Sequence, residues 1–174
     1  MTPTRPEALR ALLEARRTAA LGTVGAQGRP FVSMVPFAVD PVDRTLVLHV
    51  SELAAHTGHM HAQPGVSLLV QREENAGEPV HALARVTFVA EAEFPLPESP
   101  AWIACRAAYL ARFPEAEPMT ALGDFRFVAL HPSAARLITG FAAAVDMDPA
   151  EIDEALGRQL DARQARHARQ EGPA

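Results

Sequence analysis

Apolar positions recur along this chain in two rhythms. In residues 3–17, Leu9, Leu12 and Leu13 follow helical spacing, while Arg10, Arg16 and Arg17 lie mostly off that face. Pro6 suits the first helical turn, where its missing N–H costs little. The pattern predicts a short amphipathic helix. From Thr18 onward the rhythm becomes that of strands. TAALGTV (18–24) leads into the turn-forming GAQGRP, then PFVSMVPFAV (30–39), which is largely apolar on both alternating sets and so predicts a strand covered on both faces. Pro36 cannot donate to a ladder, so that strand is expected at an edge or bulged there. DPVDR turns the chain into TLVLHV (45–50), and the three strands read as an antiparallel meander.

SELAAHTGHMHAQPG (51–65) returns to helical character. Ser51 is the expected N-cap, Glu52 suits the first turn, Leu53 and Met60 are expected to face the core, and Pro64-Gly65 ends the helix. Strands follow at 66–71 and 80–94, a helix at 100–113, a strand pair at 124–132 and 135–141, and a polar helix at 148–170. The order α-βββ-α-ββ-α-ββ-α predicts an α+β fold. Its expected core is a small, mainly antiparallel barrel of about six to seven strands with peripheral helices. Residues 1–145 are expected to form this domain and 146–174 a polar helix or tail.

Composition narrows the functional classes. A chain of 174 residues with 48% hydrophobic and 21% charged residues is globular rather than disordered. It contains no lysine, which excludes lysine Schiff-base chemistry and any phosphate site built on that side chain. A net charge of −5 argues against a nucleic-acid partner. No stretch has the length of a membrane span and the N-terminus has no apolar signal core, so a cytoplasmic protein with no membrane partner is expected. The single cysteine, Cys105, excludes an intramolecular disulfide and a multi-cysteine zinc site, and with no activating base beside it reads as a buried apolar residue.

Few residues carry chemistry on pattern alone. Ser51, His56 and Thr57 stand at a strand-to-helix junction, where backbone N–H groups and the helix dipole favour anions. They read either as a phosphate corner or, more simply, as a cap with a solvated histidine. His49, His56, His59 and His61 lack a matching carboxylate or an HExxH pair, so solvated helix histidines are the simpler reading than a metal site. Arg85, in an apolar strand, faces solvent, pairs with a carboxylate or meets an anionic ligand, in that order of simplicity. Asp124 reads as a turn residue.

The combination is more specific than its parts. RRTAALGTVGAQGRPFVSMVPFAVD, LHVSELAAHTGHMHAQPGVSLLV, ALARVTFVAEAE and DFRFVALHPSAARLITGF together resemble the FMN-binding split-barrel family, the pyridoxamine 5′-phosphate oxidase-like group, nearest its short haem-utilisation-type branch. The resemblance spans roughly residues 15 to 142. It implies a homodimer with cofactor clefts between the subunits. It places an FMN phosphate at Ser51, His56 and Thr57, the isoalloxazine along Ser33, Met34 and Val35, and Arg85 near the same cleft. The implied activity is that of a flavin-dependent oxidoreductase acting on a small molecule. No side chain is identified as its acid or base. The alternatives are a haem-binding or haem-degrading protein, to which a C-terminal histidine contributes in that branch, and a non-catalytic flavin-binding module. The late histidines here are His131 and His167, neither in a matching motif. Gly58 and His59 stand where the family commonly carries Arg and Asn, removing one strong phosphate donor.

Overall fold

The computed structural model describes residues 2–157. Helix α1 (Arg5–Ala15) opens with a capping box that the sequence reading missed. The Thr4 hydroxyl accepts from the Glu7 N–H, and the Glu7 carboxylate accepts from the Thr4 N–H. Pro6 sits in the first turn, and Leu9, Leu12 and Leu13 are buried as their spacing requires.

Eight antiparallel strands follow: β1 (Thr18–Val24), β2 (Pro30–Pro36), β3 (Ala38–Asp40), β4 (Thr45–Ser51), β5 (Gly65–Gln71), β6 (Arg85–Glu93), β7 (Phe125–Ile138) and β8 (Ala144–Met147). They form one curled sheet in the order β2-β1-β5-β6-β7-β4-β3, with β8 paired to β7. Helix α2 (Ala55–Ala62) enters after β4, α3 (Pro100–Arg112) after β6, and α4 (Pro149–Gly157) after β8. This is the expected α+β split barrel. Leu21, Leu48, Leu68, Phe88, Val128 and Leu130 fill its interior, where α1 and α4 also bury their apolar faces. A second apolar layer, including Val47, Phe127 and Tyr109, lies between the sheet and α3.

Several element boundaries differ from expectation. The meander does not continue through residues 30–39. Pro36 ends β2 on the sheet edge, the buried Phe37 turns the chain by donating its N–H to the Arg17 carbonyl (3.1 Å), and β3 then pairs with β4 at the opposite edge. The expected strand pair at 124–132 and 135–141 is one long strand. Pro132-Ser133 makes a bulge opposite Val89 and Ala90, with the Ser133 hydroxyl donating to the Val89 carbonyl. The hairpin partner is β8. The strand expected from residue 80 starts at Arg85, after a short 3₁₀ turn at Val80–Ala82. In α4, Ile152, Ala155 and Leu156 are buried against the barrel, and the rest of the expected C-terminal helix lies outside the described residues.

Candidate functional site

Strands β1 and β2 form a hairpin in the register Leu21↔Ser33 and Thr23↔Phe31, so these four side chains share one face. Helix α2 packs against that face. On α2, His56 and His59 are three residues apart and point the same way. His56 Nδ1 lies 3.0 Å from Ser33 Oγ, and His59 Nδ1 lies 3.0 Å from Thr23 Oγ1. The His59 ring meets Phe31 edge-on at 5.3 Å. Gly25 permits this approach, since a Cβ there would stand 2.9 Å from His59 Nε2. Burial, and then the neighbouring His59, holds the His56 pKa below its ordinary value, so the imidazole is neutral at pH 7.

The other face of the same hairpin is open. Met34 pairs with Ala20 and Val32 with Gly22, and these positions continue outward to Leu69 and Ser67 on β5. Val32 is 67% exposed and Met34 69%. With Ala20 and Leu69 they line a groove of about 540 Å³ that Arg16 and Arg72 border. Alternation therefore divides the expected trio Ser33, Met34 and Val35. Ser33 turns to His56, Met34 lies on the open face, and Val35 is buried in the core. Arg85 lies on the open face two strands beyond β1, in register with Gln71, and donates to the Leu83 carbonyl at 2.9 Å. Its outward placement matches the simplest of its three readings.

The junction of β4 and α2 is built differently from a simple cap. Ser51 stays in β4 and α2 begins at Ala55, with Ala54 at the N-cap making no side-chain bond. Ser51 Oγ accepts from the Leu53 N–H (3.1 Å) and donates to Asp124 Oδ2 (3.2 Å). The tight turn this makes leaves Leu53 88% exposed rather than facing the core, where Met60 does sit. Thr57 is fully buried and its hydroxyl donates to the Ser51 carbonyl at 2.7 Å. Glu52 joins the same corner. Its N–H donates to the Asp124 carbonyl, while its carboxylate meets Arg126 Nε at 3.1 Å and His61 Nε2 at 3.3 Å. Two carboxylates thus border the junction, and Asp124, read from sequence as a turn residue, is the partner of Ser51. The β4–β7 register that opposes Ser51 to Phe125 is what brings it there.

His49, His56 and His59 are held by packing or side-chain hydrogen bonds, whereas His61 is exposed, as a solvated helix histidine is expected to be. His61 stacks on Phe94 at 3.9 Å. His49 is buried beneath α3 among Phe127, Phe125 and Tyr109, and burial lowers its pKa to about 4. Among the described residues no three His, Cys, Asp or Glu side chains converge as a metal-ligating group.

An antiparallel split barrel with a helix packed on its β1–β2 hairpin defines the class. The family model described as pyridoxamine 5′-phosphate oxidase matches residues 6–139, and the chain belongs to that family. It is 34% identical to the haem oxygenase HutZ of Vibrio cholerae over 130 residues, 74% of this chain and 73% of that protein. It is 38% identical over 120 residues (68% of this chain) to the chloroplastic non-canonical haem oxygenase HOZ of Arabidopsis thaliana, and spans only 34% of its length. Among solved structures, a haem-binding protein from Mycobacterium smegmatis aligns with a TM-score of 0.78 and 25% identity, covering 88% of this chain and 61% of that one. The structure of HutZ, described there as a haem storage protein, aligns with a TM-score of 0.72 and 28% identity, covering 80% and 98%. No helix among the described residues is long and apolar enough to cross a membrane.

Proposed function

We propose that this chain binds haem against the open face of its β1–β2 hairpin and takes part in haem breakdown. The observation that carries the choice of haem over FMN is that the hydroxyls of the β4–α2 corner already donate within the protein, one of them to the Asp124 carboxylate. A flavin phosphate needs hydroxyl and amide donors in a positive field. Here the Thr57 hydroxyl donates to the Ser51 carbonyl and the Ser51 hydroxyl donates to Asp124, while Arg126, the cation of this corner, is engaged by Glu52. Burying a phosphate dianion there is electrostatically unfavourable. The haem proteins among its relatives support the same choice.

The residues of the open face fit haem in kind. Val32, Met34, Ala20 and Leu69 offer an apolar surface for a flat macrocycle. Arg16 and Arg72 stand at the rim, paired with the exposed Glu73 and the half-buried Glu78, and in this reading they exchange those carboxylates for haem propionates. Haem supplies the iron at which dioxygen is activated. The protein would hold and orient the ring. Ser33 and the neutral His56 stand behind the hairpin as a polar pair, Val35 anchors β2 in the core, and Ser51 and Thr57 fix the entry of α2. Arg85 lies further along the same open face. The apolar surface around Val32 and Met34, continued by the exposed Val89, is the face a second subunit would cover, which would make the cleft intersubunit.

The test compares ligands directly. Protein titrated with hemin is expected to give a saturable Soret change. FMN fluorescence is expected to stay unquenched at equal concentration. Quenching of FMN at stoichiometric protein, with no haem saturation, would restore the flavin oxidoreductase reading.

A further inference from the structure

Beneath α3, on the far side of β4 from the barrel interior, lies a pocket of about 240 Å³. Its wall includes Thr45, Cys105, Ala129 and Pro95, and Asp43, Glu93 and His131 also line it. Thr45 shares the α3-facing side of β4 with Val47, and Asp40 is its direct partner across the β3–β4 hairpin. Both are almost wholly buried, Thr45 at 1% and Asp40 at 3% exposure. Each carries an oxygen without a hydrogen-bond partner, Thr45 Oγ1 and Asp40 Oδ2. The other Asp40 oxygen accepts from the Val42 and Asp43 N–H groups. A buried hydroxyl left without a partner is costly, and Thr45 Oγ1, which lines the pocket, can accept from a guest; Asp40 adds a buried negative charge beside it without lining the pocket.

The field around them is negative. The Cys105 thiol is pushed up to about 12, first by burial and then by the carboxylates of Asp40, Asp43 and Glu93. His131 Nε2 lies 2.9 Å from Glu93 and is the histidine of this group. The remaining wall, from Pro95, Ala101 and Ala129, is apolar and small. A guest suited to it has a compact cationic donor head and a short apolar stem.

We propose that this pocket binds a primary alkylammonium group, its N–H donors directed at Thr45 Oγ1 and the Asp43 and Glu93 carboxylates, and its alkyl stem along Pro95, Ala101 and Ala129. This site is independent of the haem reading.

The probe is n-butylammonium, with uncharged n-butanol as control. Binding is followed by the amide resonances of Thr45 and Cys105 in the full chain. Saturable shifts with n-butylammonium and none with n-butanol are expected. Thr45→Val, which keeps the shape and removes the hydroxyl, is expected to weaken binding by about tenfold. Ala101→Leu, from an exposed position on α3, is expected to abolish binding by filling the pocket and serves if Thr45→Val does not fold. Absence of saturable shifts, equal shifts with n-butanol, or binding unaffected by Ala101→Leu would each overturn the proposal.

Discussion

His56 Nδ1 stands 3.0 Å from Ser33 Oγ, joining helix α2 to the strand whose other face is the open groove. Three residues on, His59 makes the equivalent contact with Thr23, so α2 is held to the β1–β2 hairpin by two imidazole–hydroxyl pairs. Removing one partner leaves a part-buried imidazole nitrogen unsatisfied. Ser33→Ala is expected to lower unfolding free energy by about 1 kcal/mol. Chemical denaturation measures it, and an unchanged midpoint would show that the pair contributes nothing.

Thr57 holds the corner by its hydroxyl. Thr57→Val keeps the buried shape and leaves the Ser51 carbonyl without that donor. The expected loss is about 1–2 kcal/mol of stability, with little effect on haem affinity. Asp124→Asn, by contrast, removes one negative charge from the corner and is expected to improve weak FMN binding while leaving haem affinity in place. Urea denaturation of Thr57→Val, FMN fluorescence titration of Asp124→Asn and hemin titration of both check these expectations.

His49 makes stability depend on pH. Its folded pKa, about 4, lies below the ordinary histidine value of 6.5. The fold therefore favours the neutral ring. That stability is fully present above pH 6.5 and is lost as pH falls toward 4. The drop amounts to at most about 3–4 kcal/mol at about 1.4 kcal/mol per pKa unit. His56, whose pKa is also lowered, acts in the same direction. Urea denaturation at pH 7 and at pH 4.5 measures the loss. His49→Phe, matched to its aromatic surroundings, is expected to show a smaller loss than wild type, and an equal loss would remove His49 from the explanation.

Arg112 closes the end of α1. Its guanidinium donates to the Leu13 carbonyl at 2.9 Å and to those of Glu14 and Arg16, and lies 5.4 Å from the Phe37 ring centre. A cation on the last carbonyls of a helix satisfies orphan acceptors and complements the dipole. Arg112→Met keeps much of the packing and is expected to cost about 2 kcal/mol, with α1 losing amide-exchange protection first. Uniform loss of protection across the barrel would contradict that local role.

The leucines of α1, the strand at 18–24, Pro36 at an edge and the helix carrying Cys105 were all legible, because each depends on local periodicity or one residue's chemistry. What the sequence hid was long-range. Pro132-Ser133 looks like a turn, and only its pairing with β6 makes it a bulge. Ser51 looks like an N-cap, and only the β4–β7 register supplies Asp124 as its partner. His49 looks like a member of a histidine cluster until α3 covers it with Tyr109. The candidate site was legible as residue types around Ser33 and His56. Their division between two faces follows from alternation along β2, which the trio Ser33, Met34 and Val35 ignored.

The most direct measurement is the visible spectrum of the protein during titration with hemin and then on addition of ascorbate in air. Binding on the open face predicts a Soret band that saturates stoichiometrically and then declines as the macrocycle is opened, with Met34→Glu failing to saturate. A spectrum that stays that of free hemin throughout, while FMN binds tightly, would contradict it.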